Sequence, residues 1–389
     1  QHEAYSAGAL PLSGRSKACD SGYPAAGKRR TSALEAGEQM SNRNLARRTV
    51  AEIAFDGVDI TSSIRPYLLS VSYTDNEEDE TDDLQIALQD RGRIWTEQWL
   101  MEAIEAAAAE KLSIEAVLLR ENQHSNGKDV LLPFGTFELD TVEASGPPNK
   151  ITIKATSLPF HAAIRQTKKS KAWEGYTLSG IANEMAANSG MICMYESSVN
   201  PYYARVEQIR TSDISLLRRL CHEAGISLKA TNKILVLFDQ AEYEARDEVL
   251  TIRRGDGSYT RYQIGTGTAD TQYASCRVRY ENPAKGQCIT GIATDDKVKN
   301  GQQLEVAARV ASPGEAKMLA EKMLRLHNKF AKTASFTMVG NPALVAGVTV
   351  RLRGFGGWDC KYIISQAVHT VDGSGYTTRV RLRSVLEGY

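Results

Sequence analysis

Apolar positions repeat with a period of two along most of this chain and with a period near 3.6 in only a few stretches, which predicts a mainly β protein carrying isolated helices. The block from Ser312 to Tyr389 contains both periods side by side. Leu319, Met323, Leu326 and Phe330 fall on one helical face, with Lys317, Lys322, Arg325 and Lys329 largely around the rest. Ser312 can cap this helix, Pro313 suits a first turn whose N–H has no partner, and Glu315 can complete a capping box. After Thr333 the period drops to two. Phe336 and Met338 alternate with Thr337, Val348 and Val350 with Thr349, and Ile363 follows Tyr362 into a third strand. Turns are marked by Gly340-Asn341-Pro342, Gly354 to Gly357 and Asp372-Gly373-Ser374-Gly375.

The same reading organises the rest of the chain. Residues Gln1 to Gln39 lack a sustained period and precede Met40, so they read as a disordered leader, and a chain starting at Met40 is expected to fold and assemble as the full one does. Glu52 to Ile60 reads as a tight hairpin around Asp56-Gly57. Leu68 to Thr74 and Leu84 to Leu88 form a second strand pair. Between them Asp75 to Asp83 carries seven acids in nine positions. A calcium loop would need a central Gly and a closing Glu that this run lacks, so a solvated, self-repelling hairpin tip is the expectation. Arg93 to Lys111 reads as an Ala- and Glu-rich helix whose apolar face could include Trp95, Trp99, Leu100 and Ile104, tryptophans expected in the core or at a subunit contact rather than on a sugar platform. Strands resume at Ile114, Val130, Gly135 and Lys150. Phe160 to Trp173 reads as a basic, solvated connector. Helices over Thr177 to Ser189 and Ser212 to Ala224, with Gly225 as a stop, then precede paired strands Ile226 to Ala230 and Ile234 to Phe238. Further strands lead to the Ser312 helix.

Composition narrows the function classes. The chain has 389 residues, too many for one small core, and 47 basic against 47 acidic residues leave no net charge to favour nucleic acid or anionic membrane. No apolar run is long enough to span a bilayer, and no signal-peptide core is present. Six cysteines, Cys19, Cys193, Cys221, Cys276, Cys288 and Cys360, lie scattered without a CxxC, as small core fillers in a reducing compartment would. His161, His222, His327 and His369 stand in different elements and read as structural. There is no HExxH, no complete dinucleotide or phosphate loop, and no acid pair set apart for glycoside hydrolysis. No catalytic, cofactor-binding or metal-ligating residue is therefore assigned, and no cofactor is expected.

The turn Gly340-x-Pro342-x-Leu344-x-x-Gly347, followed by Tyr362, His369 and Gly375-Tyr376-Thr377-Thr378, resembles the closing domain of the phage late control D family, the baseplate hub proteins of contractile tails. The resemblance extends over Thr49 to Leu386 through Thr81-Asp82-Asp83-Leu84, Gly135-x-Phe137-Glu138-Leu139-Asp140 with Gly146-Pro147-Pro148, and Lys168 to Trp173 with Thr177-Leu178. It implies a mainly β, α+β chain. The expected parts are a leader (1–48), a first tube-type β-barrel with a helical insert (49–160), a connector with a small α/β module (161–240) and a second tube-type β-barrel (241–389). It also implies a homotrimer that meets a tail tube protein, a separate spike protein and other baseplate proteins. Such a protein would sit in the virion tail baseplate after assembly in the host cytoplasm, without enzymatic activity, membrane anchor or sequence-specific nucleic-acid binding. The end of the chain shortly after the Arg379 to Val385 strand accords with a separate spike. The alternatives are the hub of a type VI secretion-like spike, and a tail-associated peptidoglycan hydrolase or glycan-binding module.

Overall fold

The computed structural model describes residues 46–78, 80–99, 113–123, 128–157, 164, 167–231, 233–267, 272–282, 286–298 and 301–386. The leader and most of the predicted Arg93 to Lys111 helix therefore lie outside the described residues. Strands β1 (Arg48–Phe55) and β2 (Val58–Asp59) open the fold, followed by a short helix α1 (Thr61–Ile64), β3 (Leu68–Asn76) and β4 (Asp83–Gln89). A π-helical turn at Trp95–Trp99 leads to β5 (Ser113–Glu121), β6 (Val130–Ser145) and β7 (Lys150–Thr156). The β1–β2 turn places Asp56 at φ 47° and Gly57 at φ 77°, the primed geometry that an Asp-Gly pair favours.

The middle of the chain forms β8 (Lys169–Thr177), α2 (Leu178–Asn188), β9 (Ile192–Glu196), β10 (Tyr202–Thr211), α3 (Asp213–Ala224), β11 (Ser227–Thr231) and β12 (Ile234–Phe238). Thr177 and Ser212 cap the two helices through their hydroxyls, and Gly225 ends the second at φ 66°, a left-handed conformation suited to glycine. Leu178, Ile181, Met185, Leu217, Leu220, Leu235 and Leu237 are all buried in one core here. The expected basic connector is corrected by β8, which pairs with β10. Its Trp173 is buried, with Lys171 Nζ 3.6 Å from the ring centre, and Lys169 bonds Asp213 at 2.7 Å. Lys169 and Lys171 thus have local partners, while Lys168 is exposed.

The last part contains α4 (Gln240–Glu244), β13 (Glu248–Arg253), β14 (Tyr259–Thr266), β15 (Tyr273–Asn282), β16 (Gln287–Thr294), β17 (Gln302–Ala307) and α5 (Pro313–Asn328). It closes with β18 (Lys332–Val339), β19 (Thr349–Arg353), β20 (Lys361–Asp372) and β21 (Gly375–Ser384). Ser312 Oγ accepts from Glu315 N at 3.2 Å, as expected of the cap, while the Glu315 carboxylate reaches Ala311 N at 2.7 Å. The buried face of α5 is Ala316, Ala320, Met323 and Leu324; Phe330, expected inside, is exposed. Small residues win because α5 lies across β16 at Gly291, where an added Cβ would strike the helix backbone at Ala316 and Lys317.

Strands from both halves form one 13-stranded sheet, not two separate ones. Its order is β14-β18-β21-β20-β3-β4-β7-β6-β5-β1-β2, with β19 on β20 and β13 on β19. Among the described residues it ends at free edges and does not close into a barrel. The sheet nevertheless surrounds two cores. Ile53, Tyr73, Leu84, Phe137 and Ile153 fill one, and Ile252, Phe336, Val350, Tyr362 and Val380 the other. Around the first the order is β3-β4-β7-β6-β5-β1, and around the second β14-β18-β21-β20-β19-β13. The directions agree at every step except the last, where β1 is antiparallel and β13 parallel to its neighbour. β-bulges recur at matching places: Leu68/Ser70 in β3 against Tyr259/Arg261 in β14, and Leu139/Thr141 in β6 against Ile364/Gln366 in β20. The two lobes share a plan that no sequence identity revealed.

Candidate functional site

The two lobes, the α/β module and α5 meet at the acidic run Asp75 to Asp83. Asp75, Asn76, Glu77 and Asp82 are buried to 5 % exposure or less, so the expectation of a solvated tip fails for them, while Glu80 and Asp83 are exposed. The run stays folded because each burial is matched by a cation or a donor from another element, as buried charge requires. Lys229 of β11 reaches Asp75 at 2.6 Å and Asp82 at 3.5 Å. Arg383 of β21 holds Glu77 at 2.5 Å and Glu244 of α4 at 2.5 Å. Lys329, just past α5, pairs with Glu78, and Arg325 with Glu244; Lys322 meets Asp239 at 2.5 Å. Neutral donors complete the set. Ala346 N bonds Asp75 Oδ2 at 2.8 Å, Asn76 N bonds Asp82 Oδ1 at 2.9 Å, and Thr231 Oγ1 bonds Asp82 Oδ2 at 2.8 Å.

Two carboxylates share the Lys229 ammonium unequally. Asp75 has the shorter bond, and burial beside it pushes Asp82 up to about 7 even though Lys229 opposes the shift. The same two acids, against the cost of burial, hold Lys229 above the usual lysine range. Burial also raises Glu77 above its ordinary value despite Arg383. At Glu78 burial pushes upward, but Lys329 and Ser227 more than reverse it. The arrangement is a lock between elements far apart in sequence. A cleft of about 420 Å³ opens beside it, lined by Glu78, Arg218, His222, Lys329, Phe330 and Arg381 among others.

A second cluster explains the turn motif at Gly340. His369 is buried. Its Nε2 donates to Leu344 O at 3.0 Å, which leaves Nδ1 to accept from the Tyr376 hydroxyl at 2.8 Å. Burial lowers its pKa to about 4. Tyr376 O accepts from Gly340 N at 2.9 Å, and a Cβ at position 340 would run into the Tyr376 ring. Gly347, at φ 83°, turns the chain so that its N–H reaches Ile364 O at 2.8 Å. Motif residues scattered over the last fifty positions thus form one support for the acidic run, since Leu344 precedes the Ala346 that holds Asp75.

Among the described residues the remaining histidines do not converge. His222 lines the cleft, His327 lies 5.5 Å from the Tyr273 ring, and His161 lies outside the described residues. Trp95 packs edge-on to Tyr67 at 5.7 Å against the first core, as expected of a core tryptophan. Among the described residues no three or more His, Cys, Asp or Glu are grouped to hold a metal ion, and no helix is long and apolar enough to cross a membrane. The charged lock was missed from sequence. A usable signal existed in Lys322, Arg325 and Lys329, whose spacing of three and four puts three cations on one helical stripe. Arg383 carried none, because Arg379 and Arg381, at the same alternate positions of the strand, remain exposed.

The chain is mostly β, with two lobes of one plan held together at a cluster of buried ion pairs. Residues 145–375, more than half of the chain, match the family model described as phage tail baseplate hub (GPD), and the chain belongs to that family. It is a baseplate hub protein of a phage tail. It is 23% identical over 373 residues, 85% of this chain and 91% of the relative, to a probable baseplate hub protein of Escherichia phage 186. It is 27% identical over 228 residues, 56% of this chain and 54% of the relative, to a probable baseplate hub protein of Escherichia phage P2. The fold is also similar to the 43 kDa tail protein of prophage MuSo2 from Shewanella oneidensis, with a TM-score of 0.61 at 13% identity, covering 85% of this chain and 97% of that one. A tail protein from Neisseria meningitidis MC58 gives a TM-score of 0.63 at 12% identity, covering 87% and 97%.

Proposed function

We propose that this hub joins a sixfold tail tube to a threefold central spike as a homotrimer. The observation that carries the reading is the repeated strand order. Two lobes of one plan per chain let three copies supply six positions around an axis, the simplest way to match the two symmetries. In this reading residues 49–160 and 241–389 each act as a tube-type barrel, residues 161–240 form the module between them, and neighbouring copies complete the open sheet edges. Tube protein, a separate spike protein and other baseplate proteins are the partners, and assembly takes place in the host cytoplasm. The protein acts without catalysis, since the carboxylates gathered at its centre are committed to ion pairs.

A type VI secretion hub is the second reading. It is favoured by the fold likeness to the Francisella PdpA-VgrG complex, with a TM-score of 0.50 at 7% identity, covering 88% of this chain and 59% of that one. The sequence likeness to two phage hub proteins supports the first. Native mass spectrometry of the full chain tests the symmetry argument: three copies are expected, and a stable hexamer or a monomer in assembled particles would refute it. Purified protein is expected to release no sugar or peptide from cell wall. Lytic activity abolished by one Glu or Asp substitution with the fold intact would establish an enzyme instead.

A further inference from the structure

Among the described residues, Lys229 has a setting that no other lysine shares. Its two carboxylate partners, Asp75 at 2.6 Å and Asp82 at 3.5 Å, are as inaccessible as itself, all three side chains being 3% exposed or less. The pairs of Lys169, Lys322 and Lys329 each include a side chain that water reaches in part. The two acids are held differently. Asp75 Oδ1 accepts from the ammonium, and its Oδ2 accepts from Ala346 N at 2.8 Å. Asp82 is fixed through both oxygens, by Asn76 N and by Thr231 Oγ1. Tyr73, two positions back on the same face of β3, is fully buried and stacks on Phe134 at 4.5 Å, so that face of the strand is dry. An amine, a carboxyl and a second carboxyl thus meet where water is excluded.

We propose that Lys229 condenses with Asp75, with Asp82 moving the proton, to give a side-chain amide that clamps β11 of the α/β module to β3. The ion pair is the reactant. Passing one proton from Nζ to Asp75 Oδ1, along the existing hydrogen bond, turns ammonium and carboxylate into a free amine and a neutral acid. The amine attacks Asp75 Cγ, and the charge gathering on Oδ2 is met by the Ala346 N–H. Asp82 takes a second proton from the nitrogen and hands it to Oδ1 as the C–O bond breaks. Burial pushes Asp82 up to about 7, where a carboxyl both accepts and returns a proton near neutrality. Of the three ammonium hydrogens one stays on the amide and two leave in the water, and nothing is oxidised or reduced. Condensation is favoured because a neutral amide replaces two charges that are costly to keep buried. Fixed contact between the groups replaces a chance encounter, which speeds the step. It happens once, on the chain itself, and involves no external substrate. The bond ties positions 154 residues apart, and β3 also forms the seam between the lobes by pairing with β20.

Mass spectrometry of the full chain, purified folded and then denatured, tests the bond. The expected intact mass is one water short of the sequence mass. Trypsin should leave the chain uncut after Lys229 and release a branched peptide joining the segment around Asp75 to the one around Lys229. The full sequence mass overturns the amide and leaves the ion pair. So does a water lost at Asp56-Gly57, Asp256-Gly257 or Asp372-Gly373 with no branched peptide, since an Asp-Gly pair can dehydrate on its own. A branched peptide through Asp82 in place of Asp75 also overturns the assignment. These readings come from the unaltered chain and do not depend on how any variant folds. Lys229→Arg keeps the cation but removes the amine and is expected to retain the full mass; a branched peptide in it would place the reaction elsewhere. Asp75→Asn is expected to lose ammonia where the natural chain loses water, a mark that an ion pair cannot leave. Asp82→Asn, folded by circular dichroism, should form the branch more slowly by about tenfold or more, and an unchanged rate would remove Asp82 from the step.

Discussion

Lys229 of β11 donates to Asp75 of β3 at 2.6 Å across 154 positions of sequence, with both side chains nearly inaccessible to water. This ties the α/β module to the seam between the lobes. Lys229→Met keeps much of the volume but leaves Asp75 and Asp82 without their shared cation. Such a loss costs about 3–5 kcal/mol. Chemical denaturation at pH 7 should show the deficit. An unchanged midpoint would show that the lock contributes nothing.

The pH dependence of stability has two opposed sources. Asp82, raised from 3.8 to about 7, binds its proton more tightly in the folded chain, so its contribution is full below pH 4 and fades as pH rises through 7. His369, lowered from 6.5 to about 4, sheds its proton on folding, so stability grows as pH rises from 4 to 6.5. The two slopes offset each other over that window. Asp82→Asn removes the first and should expose the second, a rise of up to about 1.4 kcal/mol per pH unit between 4 and 6.5. Denaturant midpoints measured across that range check it; a falling slope in the variant would contradict the assignment.

Gly340→Ala forces a methyl group into the Tyr376 ring and should destabilise by about 1–3 kcal/mol, the usual effect of overpacking. Tyr376→Phe keeps the packing but removes the donor to His369 Nδ1, for about 1 kcal/mol. If crowding is the cause, Gly340→Ala should lose most of its penalty when Tyr376 is cut to Ala. Thermal melts of the three variants would reveal additive losses if the two sites were independent.

Val350 is fully buried in β19, between β13 and β20. Val350→Asp buries a carboxylate with no cation placed to meet it, at a cost of several kcal/mol. Tail assembly should fail while the α/β core around Leu217 and Leu237 keeps its protection from exchange. Particle yield by electron microscopy, together with hydrogen exchange over residues 178–238, separates local from global loss.

Periodicity alone determined the local elements. The cap at Ser312, the stop at Gly225, the primed turn at Asp56-Gly57 and the alternation through Phe336 and Met338 depend on interactions within a few residues. Each was legible without knowing what lay across from it. Burial of charge was not legible, because it depends on partners from elsewhere in the chain. The acidic run carries the local signature of a solvated tip. It is buried because β11, β21 and the end of α5 bring Lys229, Arg383 and Lys329 to it. The face of α5 changed for a similar reason: at Gly291 the strand leaves room for the helix backbone at Ala316 and Lys317 to come close. Two β units could be read from the chain. That they share one sheet was decided by β20 outrunning β19 and leaving its second half to β3, a pairing that brings together residues nearly three hundred positions apart.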